Sequence, residues 1–176
     1  MDNQDRMCRR VAIGLMVATT AALLGCQTAP GASAAPRKAG ALSASQIAAL
    51  QGMGFVEEEQ GWTFNISDSK LLFESGLDVL SAAGRRVVGD LARGLTQNGL
   101  DHIRVEGHTD NVGGQEFNKA LSARRAQHVA VQFVQNGFAD KNIDRAGFGL
   151  DKPVADNASA EGRAQNRRVS LIVVVE

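Results

Sequence analysis

Near its C-terminus the chain carries Val169-Ser170-Leu171-Ile172-Val173-Val174-Val175, a run that is almost entirely apolar. Such a run reads as a strand covered on both faces, at the centre of a sheet. A strand of that kind needs neighbours on both edges and a layer packed against it, so the upstream sequence has to supply them.

It does. Leu42 to Met53 offers Ser43 as an N-cap and apolar Ile47, Leu50 and Met53, a short helix. Phe55-Val56 and the alternating run Trp62 to Ile66 flank the acidic stretch Glu57 to Gly61 and predict a hairpin. Asp78 to Leu95 places Leu80, Val87, Val88, Leu91 and Leu95 at helical spacing, with Gly99 as the breaker. Ile103, Val105 and Gly107 alternate with Arg104 and Glu106, a half-buried strand that delivers His108-Thr109-Asp110 to its carboxyl end, where loops commonly carry function. Gln115 to Asn136 reads as a second long helix closed by Gly137, Ile143 to Phe148 as a short strand, and Leu150 to Glu161 as loop. The expected class is α+β, a βαβαβ sandwich with one mixed sheet and two long helices packed on one face.

Residues 1–25 read as something other than fold. Arg9 and Arg10 precede an apolar run from Val11 to Leu24 that ends in small residues, the pattern of a secretory signal. The run is shorter than the ~20 residues a helix needs to cross a bilayer core. Leu23-Leu24-Gly25-Cys26 resembles the bacterial lipobox, which implies that Cys26 is acylated and becomes the first mature residue. Gln27 in place of aspartate then implies the outer membrane, with the domain lipid-anchored and facing the periplasm. Three acyl chains at about 0.8 kcal/mol per methylene make that attachment effectively permanent. Residues 26–41, rich in Ala, Pro, Gly and Ser, bury too little to order themselves and read as a tether of at most ~50 Å. Residues 42–66 form the helix and hairpin, and 67–176 the main domain.

Charge narrows the partners. The chain has 19 Lys plus Arg and 19 Asp plus Glu, so no basic excess is available to neutralise phosphates, and nucleic acid is not expected to bind. His102 and His108 bracket a strand and lie ~20 Å apart at the usual rise. They cannot share a metal ion, His128 stands alone, and no serine or cysteine nucleophile sits beside His108. Catalysis, a metal and a cofactor are not expected.

The row Phe117, Leu121, Arg125, Val129, Phe133 steps by four along the second helix, which sets Arg125 among apolar neighbours. A guanidinium there needs a partner, and the short connection from the strand ending at Thr109 makes Asp110 the natural one. On residue types alone this could be a plain ion pair.

The motifs say more. Gly107-His108-Thr109-Asp110, Gly113, Phe117-Asn118, Leu121-Ser122, Arg125-Ala126, Gly147-Phe148-Gly149, Gly162-Arg163 and Asn166-Arg167-Arg168-Val169 resemble the OmpA-like peptidoglycan-binding family, over about Ile66 to Val174. The resemblance implies that Asp110 takes the ammonium and Arg125 the carboxylate of meso-diaminopimelate in the peptidoglycan stem peptide. It places Thr109 and Leu121 at the pocket lining, although either also reads as ordinary scaffold. Asn166 and Arg168 are implied at the pocket floor, with a solvated charge run as the other reading and a structural role for Arg167. Where this family usually has tyrosine, the chain has Phe117 and Phe148. Glu59-Gln60-Gly61-Trp62, Lys70 to Phe73, Ala155-Asp156-Asn157 and Gln165 through Ile172 further resemble YfiB-type lipoproteins. That likeness implies capture of a periplasmic, YfiR-like repressor and release of a membrane diguanylate cyclase, raising cyclic di-GMP. Trp62 and Phe64 of the hairpin are then candidate partner-binding aromatics, with a small core as the other reading of Trp62. A second copy of the chain remains open as a partner, and a structural tether between outer membrane and wall is the rival function.

Overall fold

The computed structural model describes residues 42–67, 73 and 78–174. The expected signal segment, Cys26 with its tether, and the motif residues Lys70, Leu71 and Leu72 lie outside the described residues. In chain order the elements are α1 (Ala44–Gly52), β1 (Val56–Glu58), β2 (Gly61–Ser67), α2 (Ala82–Gln97), β3 (Ile103–His108), α3 (Gln115–Gln135), β4 (Ile143–Gly149), α4 (Ala160–Asn166) and β5 (Arg168–Val173).

The five strands form one mixed sheet in the order β1-β2-β5-β3-β4. β5 is the middle strand, antiparallel to both β2 and β3, and every one of its residues is buried. That is the place its apolar sequence demands. β3 and β4 are parallel and are joined through α3, as a parallel pair requires a crossover. The sheet runs straight across the boundary expected near residue 66, because β2 pairs with β5 from Trp62↔Val173 to Ser67↔Arg168. The hairpin is therefore part of the sheet.

Serine caps set several helix starts. Ser43 forms a capping box with Gln46. Ser81 accepts from the Gly84 amide, so α2 begins four residues after the expected Asp78. Ser159 does the same for Gly162 and starts α4, whose first two residues fall in the stretch expected to be loop.

Strand alternation divides the sheet into two unlike faces. Trp62, Val105, Val169, Leu171 and Val173 join Leu91, Leu95, Val129 and Phe133 of the helices in one apolar core. Glu106, His108, Arg168 and Ser170 occupy the opposite parity and are also buried. On the core side α3 lies so close to the sheet that glycine is obligatory. A Cβ at Gly107 would collide with the Ser122 carbonyl oxygen, and one at Gly147 with the backbone of Ala123.

Candidate functional site

Asp110 sits just past the end of β3, on a loop held from three sides. The Thr109 amide donates to the Gly149 carbonyl at 2.8 Å, which staples the loop to β4. The Val112 amide donates to Asp110 Oδ1 at 3.1 Å, and Asn118 Nδ2 donates to the Val112 carbonyl at 3.0 Å, which ties the loop to α3. Gly113 takes φ +93° in the turn, a conformation that costs glycine nothing. The second carboxylate oxygen, Oδ2, accepts from Arg167 Nη1 at 2.7 Å. Arg167, expected to have a structural part, is therefore a cation in direct contact with this carboxylate.

Arg125 lies in the middle of α3 and is 6% exposed, against 7% for Asp110. Its guanidinium carbon stands 4.9 Å from the centre of the Phe73 ring, a cation–π contact in a site largely shielded from water. The helix that carries it is fixed on the sheet by Ser122, three residues earlier on the same face. Ser122 Oγ accepts from the Gly149 amide at 2.9 Å and donates to the Lys119 carbonyl at 2.9 Å. Arg125 is thus positioned by the same strand ends that position Asp110.

The other expected residues divide. Thr109 is 4% exposed and Leu121 is half-buried, both within the elements that frame Asp110 and Arg125. Asn166 was expected at the ligand. It is fully buried, and its amide is saturated: the oxygen accepts from the Val154 and Ala155 amides, and Nδ2 donates to the Ala155 carbonyl and Asn157 Oδ1. No polar atom of it is left for a ligand, so its work is to shape the 154–157 loop. Arg168, also expected there, is on the sheet face away from α3 and donates through both Nη atoms to the Lys152 carbonyl at 3.3 Å. Of the two readings of Trp62, the core one fits the structure. Its register opposite Val173 turns it into the core at 5% exposure, so it is not an accessible interface anchor. Phe64 is half-buried, with its ring 5.3 Å from that of Phe55.

Sequence reasoning gave Arg167 a structural part and missed its contact with Asp110. The signal was the antiparallel register: with Gly107 opposite Val169, residue 167 meets the end of β3. The apolar patterns alone do not set that register.

Behind the sheet lies a second charged group. Lys152 Nζ is 3.2 Å from Glu106 Oε2 and 3.6 Å from the Phe148 ring centre. His108 stacks on Phe148 with 5.7 Å between ring centres. Burial, with Arg168 and Lys152 nearby, pushes the His108 pKa down to about 3. His108 is therefore neutral at pH 7, its 3.7 Å approach to Glu106 is no ion pair there, and Lys152 is the counter-ion of Glu106. An open cleft of about 440 Å³, lined by Glu58, Glu59, Gln60 and Lys152, lies beside the hairpin turn. Among the described residues no cluster of His, Cys, Asp and Glu is arranged to hold a metal, and no helix is long and apolar enough to cross a membrane.

The OmpA family profile matches residues 72–167, which span α2 to the end of α4 and include Asp110, Arg125 and Arg167. The outer-membrane lipoprotein YfiB of Pseudomonas aeruginosa is 45% identical over 154 residues, covering 88% of this chain and 87% of the relative. The solved cell wall anchor of the type VI secretion system from Pseudomonas aeruginosa is 28% identical with a TM-score of 0.60, over 79% of this chain and 100% of that one. The peptidoglycan-associated lipoprotein from Burkholderia pseudomallei is 28% identical with a TM-score of 0.52, over 58% and 86%. The match to the family profile and to YfiB along almost its whole length places the chain in the OmpA family, as an outer-membrane lipoprotein with its domain in the periplasm.

Proposed function

We propose that the domain binds the peptide of peptidoglycan without cleaving it, through one meso-diaminopimelate residue gripped by Asp110 and Arg125. The observation that supports this reading is that a carboxylate on a braced loop and a guanidinium on a helix held by the same strand end, Gly149, both fall inside the stretch matched by the OmpA family. The end of diaminopimelate is a zwitterion. A carboxylate receives its ammonium, and a planar guanidinium fork takes its carboxylate through charge-assisted hydrogen bonds that a lysine in place of Arg125 would not reproduce. Thr109 and Leu121 line the same place, while Asn166 and Arg168 support it from behind.

Two purposes compete. Likeness to YfiB along most of both chains favours a regulator that captures a periplasmic repressor and so releases a membrane diguanylate cyclase. Likeness to a cell wall anchor and to a peptidoglycan-associated lipoprotein favours a tether between membrane and wall. We favour the regulator, because the match to YfiB includes the hairpin, which lies outside the matched OmpA stretch.

Sedimentation with purified sacculi tests the binding reading: wild type should co-sediment, and Asp110→Ala and Arg125→Ala should remain in the supernatant. Equal retention of all three rules out the site. The regulator reading predicts that deletion changes cyclic di-GMP only in cells that contain the repressor. An unchanged level together with envelope leakage identifies the tether.

A further inference from the structure

Asp110 offers a ligand less than its charge suggests. Oδ1 is engaged by the Val112 amide, which fixes the plane of the carboxylate. Oδ2 remains, and it holds Arg167 at 2.7 Å. Each oxygen keeps a second lone pair, but a resident guanidinium already supplies the positive charge at Oδ2, so an arriving ammonium meets a like charge there.

Arg167 is built to let go. Its neighbours on both sides are fixed: Asn166 is fully buried with its amide saturated, and Arg168 is 7% exposed and bound to the Lys152 carbonyl. Its own amide donates to the Arg163 carbonyl at 3.0 Å and pins the backbone. The side chain alone has latitude. It is 37% exposed while that of Asp110 is 10% exposed, so the arginine is the partner with more access to water. A half-exposed arginine loses little on returning to solvent, whereas Asp110 left without a cation would be a nearly buried, uncompensated charge.

We propose that Arg167 is a built-in competitor for the ligand: it stands where the ammonium of the stem peptide goes, and binding is an exchange of one cation for another on Asp110 Oδ2. This rests on the peptidoglycan reading and adds to it a regulatory element. The pair leaves the Asp110 charge matched, so a free monovalent cation gains little by entering, and a ligand whose carboxylate also meets Arg125 is favoured to displace the resident guanidinium. Part of the binding free energy is used in breaking the internal pair, so the apparent affinity lies below the intrinsic one.

The test is titration calorimetry with the tripeptide L-Ala-γ-D-Glu-meso-diaminopimelate on wild type, Asp110→Asn, Arg167→Gln and Arg167→Lys. Loss of binding in Asp110→Asn establishes the parent reading; if wild type does not bind, or Asp110→Asn binds equally, the parent reading falls, and this proposal with it. Given that reading, removing the competitor should tighten binding roughly two- to fivefold in Arg167→Gln, while Arg167→Lys stays near wild type. An unchanged or weaker affinity in a folded Arg167→Gln overturns the exchange. Should that variant fail to fold, the wild-type protein decides: the Arg167 Nε–H resonance must shift and exchange faster with water when tripeptide is added. A resonance that stays put overturns the proposal equally.

Discussion

The two faces of the sheet are both buried and solve burial in opposite ways. Facing the helices, Val105, Val169, Leu171 and Val173 pack in an apolar core, where removal from water is itself the driving force. Facing away, Glu106, His108, Arg168 and Ser170 sit at similar depth, and each charge must be matched or suppressed. Lys152 matches Glu106, Ser170 Oγ donates to Asn65 Oδ1, and His108 is held neutral. On the core face the vulnerability is to added volume, and on the polar face it is to a charge that loses its partner. Strand β5 belongs to both, which is why its sequence mixes an arginine and a serine into an apolar run.

Substitutions at the two faces should fail for different reasons. The largest loss is expected from Gly107→Ala, because the new methyl meets the Ser122 backbone and only movement of α3 relieves it. A loss of at least about 3 kcal/mol in urea denaturation is expected, accompanied by loss of sacculus binding as Arg125 is displaced. Near wild-type stability there would show that α3 is not seated as described. Leu171→Ala, fully buried on the same face, should cost about 3 kcal/mol through its cavity and leave the denaturation slope unchanged.

On the polar face Lys152→Ala strands the buried Glu106 carboxylate. The lysine side chain is 45% exposed, so the expected cost is only about 1–2 kcal/mol. Adding Glu106→Gln should recover most of it, and a strictly additive double variant would show that the two do not interact. The remaining effect is a slope, the smallest of these when taken within one pH unit of 6.5. The unfolded chain binds a proton at His108 near pH 6.5, and the folded one resists it down to about pH 3. Stability should therefore fall as pH drops below 6.5, by at most about 1.4 kcal/mol per unit from this group. In His108→Gln the curve should flatten between pH 4 and 6. An identical slope in both proteins would assign the acid sensitivity elsewhere.

The patterned parts of this fold were readable in the sequence. The apolar run of β5, the alternation of β3 and the stride of α3 identified the central strand, the strand that leads to Asp110 and the helix that carries Arg125. What escaped lacks a period. α4 is seven residues long with two of them buried, and its start is set by the Ser159 cap. The Arg167–Asp110 pair joins residues 57 positions apart in sequence and exists only once β5 is registered against β3. Alternation leaves Trp62 open between core and interface, because it says which residues share a face, and only the assembled sheet says which face is covered.

The contact at Gly107 and Gly147 bears on how such a domain can diversify. A helix seated directly on two glycines has a single resting position along and across the strands, since sliding it by even a fraction of a turn would drive its backbone into theirs. Preference for one wall chemistry over another is therefore free to drift only through the identities of the groups that α3 and its facing loops present, with the distances between their mounting points inherited unchanged.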